Sequence, residues 1–306
     1  MAFGAWRPRL LLKAAVWRRS SYADAPSNGI PTASNRYGYD LRLMSARSYL
    51  AEHMSPRTYS VARLPLRVLP SRRQHYARQA RIENALGFKQ DRIVRRGPFA
   101  GMHYTDDSFG SSLAPKLLGS YELELHEAIE QMIACQDIKT VVNVGSAEGY
   151  YAVGFALRCP EASVYAYDSS PFARRLCRRM AVLNGVADRV LVSGRAGPET
   201  LRRVVGAGSL VLSDCEGCEK ALIDPSTVPE LLEANMIIEL HDFVDPMISS
   251  SIQRRFEGSH NVELVDSRLR DPAIFRDPLE RLAPADRAHA LEEGRPGPMQ
   301  WAVITL

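Results

Sequence analysis

Apolar positions fall into a clear rhythm over the second half of this chain. From residue 139 onward, short β-branched runs alternate with stretches in which apolar residues recur every three or four positions. That pattern predicts strands and helices in turn. Strands are expected at residues 140–144, 163–167, 189–192, 209–213 and 236–240, with helices at 148–157, 171–183, 199–205 and, in broken form, 219–233. A helix at 247–256, a strand at 261–266 and a last strand at 300–306 complete the series. Alternation of this kind builds parallel βαβ units with right-handed crossovers. The fold class expected is therefore α/β, a doubly wound, mostly parallel seven-stranded sheet, whose last two strands suit an antiparallel edge. Residues 271–298 carry Pro272, Pro278, Pro284, Pro296 and Pro298, and read as a lid or a surface loop with a helix near 278–292.

Upstream, residues 71–86 read as a helix ended by Gly87, residues 92–96 as a short extended piece, and residues 96–102 as a Gly- and Pro-containing loop. Residues 115–134 read as one long helix, with Leu117, Leu118, Leu125, Ile129 and Ile133 on its apolar side. The chain thus divides into an arm (1–59), a mainly helical N-terminal extension (60–135) and a ligand-binding domain (136–306).

Composition sharpens this outline. The chain has 306 residues, 45% of them hydrophobic, enough for a sizeable core. No apolar run approaches the roughly 18–20 residues of a membrane helix, so no transmembrane segment is expected. Five cysteines at scattered positions argue against a secreted disulfide framework, and a reducing, cytoplasmic setting is expected. Cys215-x-x-Cys218 lacks a second pair and reads as two small packing residues rather than a zinc or redox site.

Charge is divided unevenly. Residues 1–100 hold 19 Lys+Arg against 5 Asp+Glu, and residues 101–306 hold 20 against 30. The Arg-rich, acid-poor start fits an organellar transit peptide, a membrane-touching segment or a solvated extension. The Ser, Pro, Asn and Gly content of residues 20–35 favours the last. Arginines and tyrosines interleave from Arg36 to Tyr59, as in some nucleic-acid binders. Charged runs more often form a solvated face, so nucleic acid is not the expected partner.

In a doubly wound sheet, ligands bind beyond the carboxyl ends of the strands, where strand order reverses. The first strand runs into Asn143-Val144-Gly145-Ser146-Ala147-Glu148-Gly149. Gly145 permits a tight turn, and the N–H groups opening the next helix can hold an anion. The second strand ends at Asp168, 23 positions after Gly145, where a carboxylate can hold ribose hydroxyls; alternatively it caps the helix starting at Pro171. Together these point to a nucleoside-type ligand, and leave a dinucleotide and S-adenosylmethionine both open. The fourth strand ends in Asp214-Cys215-Glu216-Gly217-Cys218-Glu219, and the fifth in Ile237-Ile238-Glu239-Leu240-His241-Asp242.

Over roughly residues 139–306 the chain resembles the class I S-adenosylmethionine-dependent methyltransferases, whose sheet is Rossmann-like. Asp214-x-Glu216-Gly217-x-Glu219 is similar to the acidic strand-four motif of the FkbM-like group, usually small-molecule or sugar O-methyltransferases, and residues 237–242 are similar to its strand-five end. Asn143 stands where the family commonly has an acid, and Ser193-Gly194-Arg195 replaces an often acidic adenine loop. The resemblance implies S-adenosyl-L-methionine as cofactor, held by Asn143, Gly145, Ser146, Glu148, Gly149, Asp168 and Asp214, and a small-molecule acceptor.

For a hydroxyl acceptor, a base or a metal ion must remove or polarise a proton. His241 is the candidate base, with Asp214 as second catalytic residue; alternatively Asp214, His241 and Asp242 hold a divalent metal ion. The simplest alternative is that His241 and Asp242 only cap the next turn. Glu216 and Glu219 could contact substrate, and His103 and His126 could line the acceptor pocket, though a purely structural place suits both histidines better. Two other functions stay open at this point: an NAD-type dehydrogenase, disfavoured by the absence of GxGxxG, and a non-catalytic nucleotide-fold protein whose basic arm recruits RNA or a membrane surface.

Overall fold

A computed structural model describes residues 70–306 except Gln136 and Pro296, and the side chains from residue 77 onward except Cys135. The arm at 1–59, its arginine and tyrosine pattern and the start of the extension lie outside the described residues.

Seven strands form one sheet in the order β3-β2-β1-β4-β5-β7-β6: β1 (Thr140–Val144), β2 (Ser163–Tyr167), β3 (Val190–Ser193), β4 (Ser209–Ser213), β5 (Ala234–Leu240), β6 (Asn261–Asp266) and β7 (Gln300–Thr305). Strands β1 to β5 run parallel, and β7 lies antiparallel between β5 and β6. The doubly wound, mostly parallel α/β sheet expected from the sequence is the observed one. All of β4 and β5 is buried, which is why their sequences read as continuous apolar runs rather than alternating ones.

Two cores lie on opposite faces of the sheet. One gathers Val141, Leu210, Leu212, Ile237 and Trp301 with the N-terminal extension; the other gathers Val142, Val211, Met236, Ile238 and Ile304. Strand alternation puts Asp214, Glu239 and His241 on the side of the first core, because they share parity with Leu212 and Ile237. This parity is what lets three polar residues from two strand ends meet.

The helices follow their sequence signals. In chain order, the described ones are α1 (Pro70–Ala85), α2 (Leu113–Leu118), α3 (His126–Cys135), α4 (Tyr150–Arg158), α5 (Pro171–Leu183), α6 (Pro198–Val204), α7 (Glu219–Leu222), α8 (Ile248–Phe256), α9 (Arg276–Leu279) and α10 (Pro284–Arg287). Helix α5 shows why such segments fold as they do. Ser170 caps it by accepting from the Ala173 N–H at 3.3 Å, and Ala173, Leu176, Cys177, Met180 and Ala181 form its buried stripe. That spacing is the 3.6-residue period, with the arginines left outward.

Two expectations are corrected. The single helix over 115–134 is broken into α2, a 3-10 turn at Leu123–Leu125 and α3. Gly119 (φ +75°) ends α2 in the left-handed conformation, and a Cβ there would overlap the backbone of Arg96. Glu122, also left-handed at φ +47°, completes the bend. The helix over 278–292 is likewise divided, into α9, α10 and a 3-10 turn at His289–Leu291, with Pro284 opening α10 because its missing N–H breaks the preceding ladder.

The extension is anchored onto the sheet by one buried charge. Glu148, fully buried, accepts from the Tyr104 hydroxyl at 2.5 Å, the Ser108 hydroxyl at 2.9 Å and the Phe109 N–H at 3.0 Å, and is paired with Lys116 of α2. Phe99 packs its ring against Gly154 of α4, where a Cβ would come within 2.5 Å of it. Among the described residues, no helix is long and apolar enough to cross a membrane.

Candidate active site

Strand order reverses between β1 and β4, since β1 pairs with β2 on one side and with β4 on the other. The backbone is pulled tight there. Asp214 donates its N–H to the Val144 carbonyl at 2.9 Å, while Gly145 and Ser146 donate to the Tyr167 carbonyl at 2.8 and 2.9 Å. Gly145 has φ +79°, and a Cβ on it would overlap the Asp214 carbonyl oxygen. Only glycine lets the ends of β1 and β4 approach this closely.

Around this turn, the residues expected to hold a cofactor have different surroundings. Asn143 is buried and its Oδ1 has no hydrogen-bond partner. A buried acceptor without a donor is costly, so this atom fits a ligand bearing an N–H or O–H group. Ser146 is buried at the same turn. Asp168 accepts from the Ala147 N–H through Oδ2 at 2.9 Å and from the Ser170 N–H through Oδ1 at 2.7 Å. Burial raises its pKa against those two backbone bonds, and one lone pair on each oxygen is left over for ribose-type donors. Ala147, in the rare left-handed region at φ +48°, is held there by that bond.

Two expected contacts fall elsewhere. Glu148 is turned inward onto Lys116, Tyr104 and Ser108, so its carboxylate is committed to anchoring the extension rather than to a ligand. Gly149 (φ +98°) opens α4 and lies against Cys177, whose Sγ a Cβ would meet at 2.9 Å. Its place is a packing one.

At the ends of β4 and β5, Asp214 and His241 come together. His241 is buried, and its Nδ1 lies 2.8 Å from Oε1 of Glu219, a fully buried carboxylate. A carboxylate only accepts, so the proton sits on Nδ1 and the Nε2 lone pair is turned outward. Nε2 stands 3.5 Å from Oδ1 of Asp214 and 3.8 Å from Oε2 of Glu216. The side chains of Asp214 and Glu216 keep 46% and 75% of their surface accessible, so the group faces an open cleft. Asp214, Glu216 and His241 each offer a ligand atom, all within 4.8 Å of one another.

The electrostatics follow from this crowding. Burial tends to lower the His241 pKa, but the hydrogen bond to Glu219 and the charges of Glu219, Glu239 and Glu216 outweigh it and raise it above the ordinary histidine value. Desolvation, and after it the nearby charges of Glu239, Glu216 and Glu122, push the Asp214 carboxyl up, with the desolvation weakened because nearly half of that side chain stays accessible.

Behind that pair lies a buried network invisible in the sequence. Arg295 reaches Glu293 at 2.6 Å, Glu239 at 2.7 Å and Glu122 at 2.8 Å, with its guanidinium 4.6 Å from the centre of the Trp301 ring. Tyr151 donates to the second oxygen of Glu122. The left-handed turn at Glu122 therefore has a cause, since it aims that carboxylate at Arg295. Arg295 belongs to the proline-rich insertion, where no motif marks it.

Two expectations are corrected. Asp242 does not join the metal-competent group. Its carboxylate accepts the Ser249 N–H at 2.9 Å and the Ser249 hydroxyl, so it caps the turn into α8, and Glu216 takes the third position. Cys215 and Cys218 are not separate packing residues but form a disulfide. His126 bonds the Tyr121 carbonyl through Nε2 at 2.9 Å, and His103 is an exposed residue whose backbone bridges Ile93; the structure draws neither into the cluster.

No family model matches the chain, and no curated protein does. Among solved structures, it is similar to an O-methyltransferase from Bacillus cereus in complex with SAH, at 10% identity over 85% of this chain and 97% of that one, TM-score 0.39. It is similar to the O-methyltransferase TomG from Streptomyces achromogenes, involved in tomaymycin synthesis and in complex with SAM, at 11% identity over 63% and 83%, TM-score 0.39. A precorrin-6y C5,15-methyltransferase from Geobacter metallireducens matches at 13% identity over 54% and 80%, TM-score 0.39. Likeness at this level carries neither cofactor nor substrate across.

Proposed function

We propose that the chain is an S-adenosylmethionine-dependent methyltransferase acting on oxygen of a small molecule, with His241 as general base. The observation that carries the reading is the convergence of a carboxylate-oriented imidazole and Asp214 at two strand ends beside the Gly145 turn, where the sheet reverses order. Asn143, the Gly145–Ser146 turn and Asp168 would hold the cofactor, whose sulfonium supplies an electrophilic methyl group. The orphaned Asn143 oxygen supports that fit.

The chain's own part is positional and protolytic. Nε2 of His241 accepts the acceptor hydroxyl proton while Glu219, bonded to Nδ1, stabilises the imidazolium that results. Asp214, whose carboxyl is shifted upward by desolvation and the neighbouring carboxylates, stands 3.5 Å from Nε2 and is the weaker candidate for accepting the proton, which leaves that part to His241. The oxygen must be aligned with the methyl carbon at about 3–3.5 Å, a task for residues lining the open side of the cleft.

A second reading is supported by the ligand geometry. Two carboxylates and one imidazole suit Mn²⁺, Fe²⁺ or Zn²⁺ better than Mg²⁺, and Glu219 supplies the carboxylate partner that metal-bound histidines usually have. Asp214, Glu216 and His241 would hold the ion, which would polarise the acceptor hydroxyl. Transfer of a labelled methyl group from S-adenosylmethionine to small hydroxylated acceptors tests the first reading; activity insensitive to chelators removes the second, and near-normal turnover by His241→Ala removes the base.

A further inference from the structure

We propose that the Cys215–Cys218 disulfide is a reversible redox-modification site that couples the oxidation state of the acidic loop to the seating of His241. The disulfide closes a small ring around Glu216 and Gly217, with the two Cα atoms 5.5 Å apart. Inside that ring the backbone is left-handed at both positions, φ +58° at Glu216 and +102° at Gly217. Left-handed backbone disfavours a glutamate and persists only where the surroundings impose it. Here the covalent ring imposes it from one side. Val244 does so from the other, lying against Gly217 so closely that a Cβ would come within 2.6 Å of it.

One oxygen ties this loop to the imidazole. Oε1 of Glu219 accepts the Cys215 N–H at 3.2 Å, the Gly217 N–H at 3.3 Å and the His241 Nδ1 proton at 2.8 Å. The bonds that shape the loop and the bond that orients His241 thus share an acceptor. The ring also sets Glu216 with its carboxylate 3.8 Å from Nε2. Opening the ring frees Glu216 to leave the left-handed region, withdraws the two N–H donors from Glu219 and loosens the imidazole.

Access to a reductant is provided by the exposure of Cys218, with Cys215 half-buried. The free Cys177, by contrast, is buried in the core and its thiol is pushed up to about 12 by burial. The co-reactant is a dithiol. Its thiolate attacks one sulfur, the Cys215–Cys218 bond breaks, the departing thiolate takes a proton, and the second thiol of the reductant resolves the mixed disulfide. Two electrons and two protons pass to the protein and the dithiol leaves as a disulfide.

The test compares full-length oxidised protein with protein reduced by dithiothreitol, the number of free thiols being fixed by alkylation and mass. Amide hydrogen exchange is measured at residues 214–219 and, as control, in β4 and β5. Reduction is expected to speed exchange at Cys215 and Gly217 by about tenfold or more, consistent with local opening, and reoxidation to reverse it. A C215S/C218S variant should exchange like the reduced protein and ignore dithiothreitol. Equal exchange in both states, an oxidised protein with both thiols alkylatable, or a double variant that still responds would each overturn the proposal. The consequence for catalysis, a fall in turnover on reduction, rests on the methyl-transfer reading; the exchange experiment needs neither donor nor acceptor, so the two fail separately.

Discussion

The imidazole of His241 is held by Glu219, Nδ1 to Oε1 at 2.8 Å, with both side chains buried and Nε2 left facing the cleft. A neutral imidazole with its proton pinned on one nitrogen is a base prepared on the other. Because the hydrogen bond and the surrounding carboxylates raise the His241 pKa above its ordinary value, methyl transfer should rise with pH through a limb lying above about 6.5. Glu219→Gln removes a charge and should move that limb to lower pH while lowering the plateau. His241→Ala should lower kcat by about 100- to 10,000-fold. A pH–rate profile of wild type and both variants checks this.

The same shift has a stability counterpart of definite sign. A histidine whose folded pKa is raised contributes stability fully present below about pH 6.5 and lost as pH rises through the folded value. The stability difference between wild type and His241→Gln should therefore shrink from pH 6 to pH 9. Urea unfolding at a series of pH values measures it.

Lys116→Met leaves Glu148 without its cation in a fully buried position. Breaking one side of such a pair costs about 3–5 kcal/mol. The loss should appear as a lower urea midpoint, and the donor site should be disturbed with it, since Glu148 follows directly on the glycine turn.

Arg295→Met strands Glu122, Glu239 and Glu293 around an empty centre. The carboxyl of Glu122, already raised by burial against the pull of Arg295, should titrate higher still in the folded state without the cation. Such a group favours the fold at low pH and loses that contribution as pH rises. Thermal unfolding should accordingly show a deficit at pH 8 that narrows towards pH 5; a deficit independent of pH would mean the network carries no charge.

Much of the frame was legible because it depends on local pattern. The strands at 140–144, 163–167, 209–213 and 261–266 are the observed β1, β2, β4 and β6, and the helix at 171–183 is α5, where period and the Ser170 cap agree. The bend at Gly119 and Glu122 was not, because Gly119 answers to the backbone of Arg96 and Glu122 to Arg295, more than 170 positions away. Asp214 and His241 could be singled out by their places after strands; that Glu219 orients His241, and that Asp242 turns away to Ser249, depends on side-chain directions in loops. Apolar periodicity is silent about those. Cys215-x-x-Cys218 failed for a related reason: whether two nearby sulfurs face each other is set by the left-handed turn between them.

The claim beneath all of this is that the crevice at Asn143, Gly145 and Asp168 holds the sulfonium donor. Calorimetric titration of the purified chain with S-adenosylmethionine and with its demethylated product tests it most directly. Saturable one-site binding, lost in Gly145→Ala at temperatures where that variant remains folded, is the predicted result. Absence of binding by both compounds to folded protein would contradict the assignment.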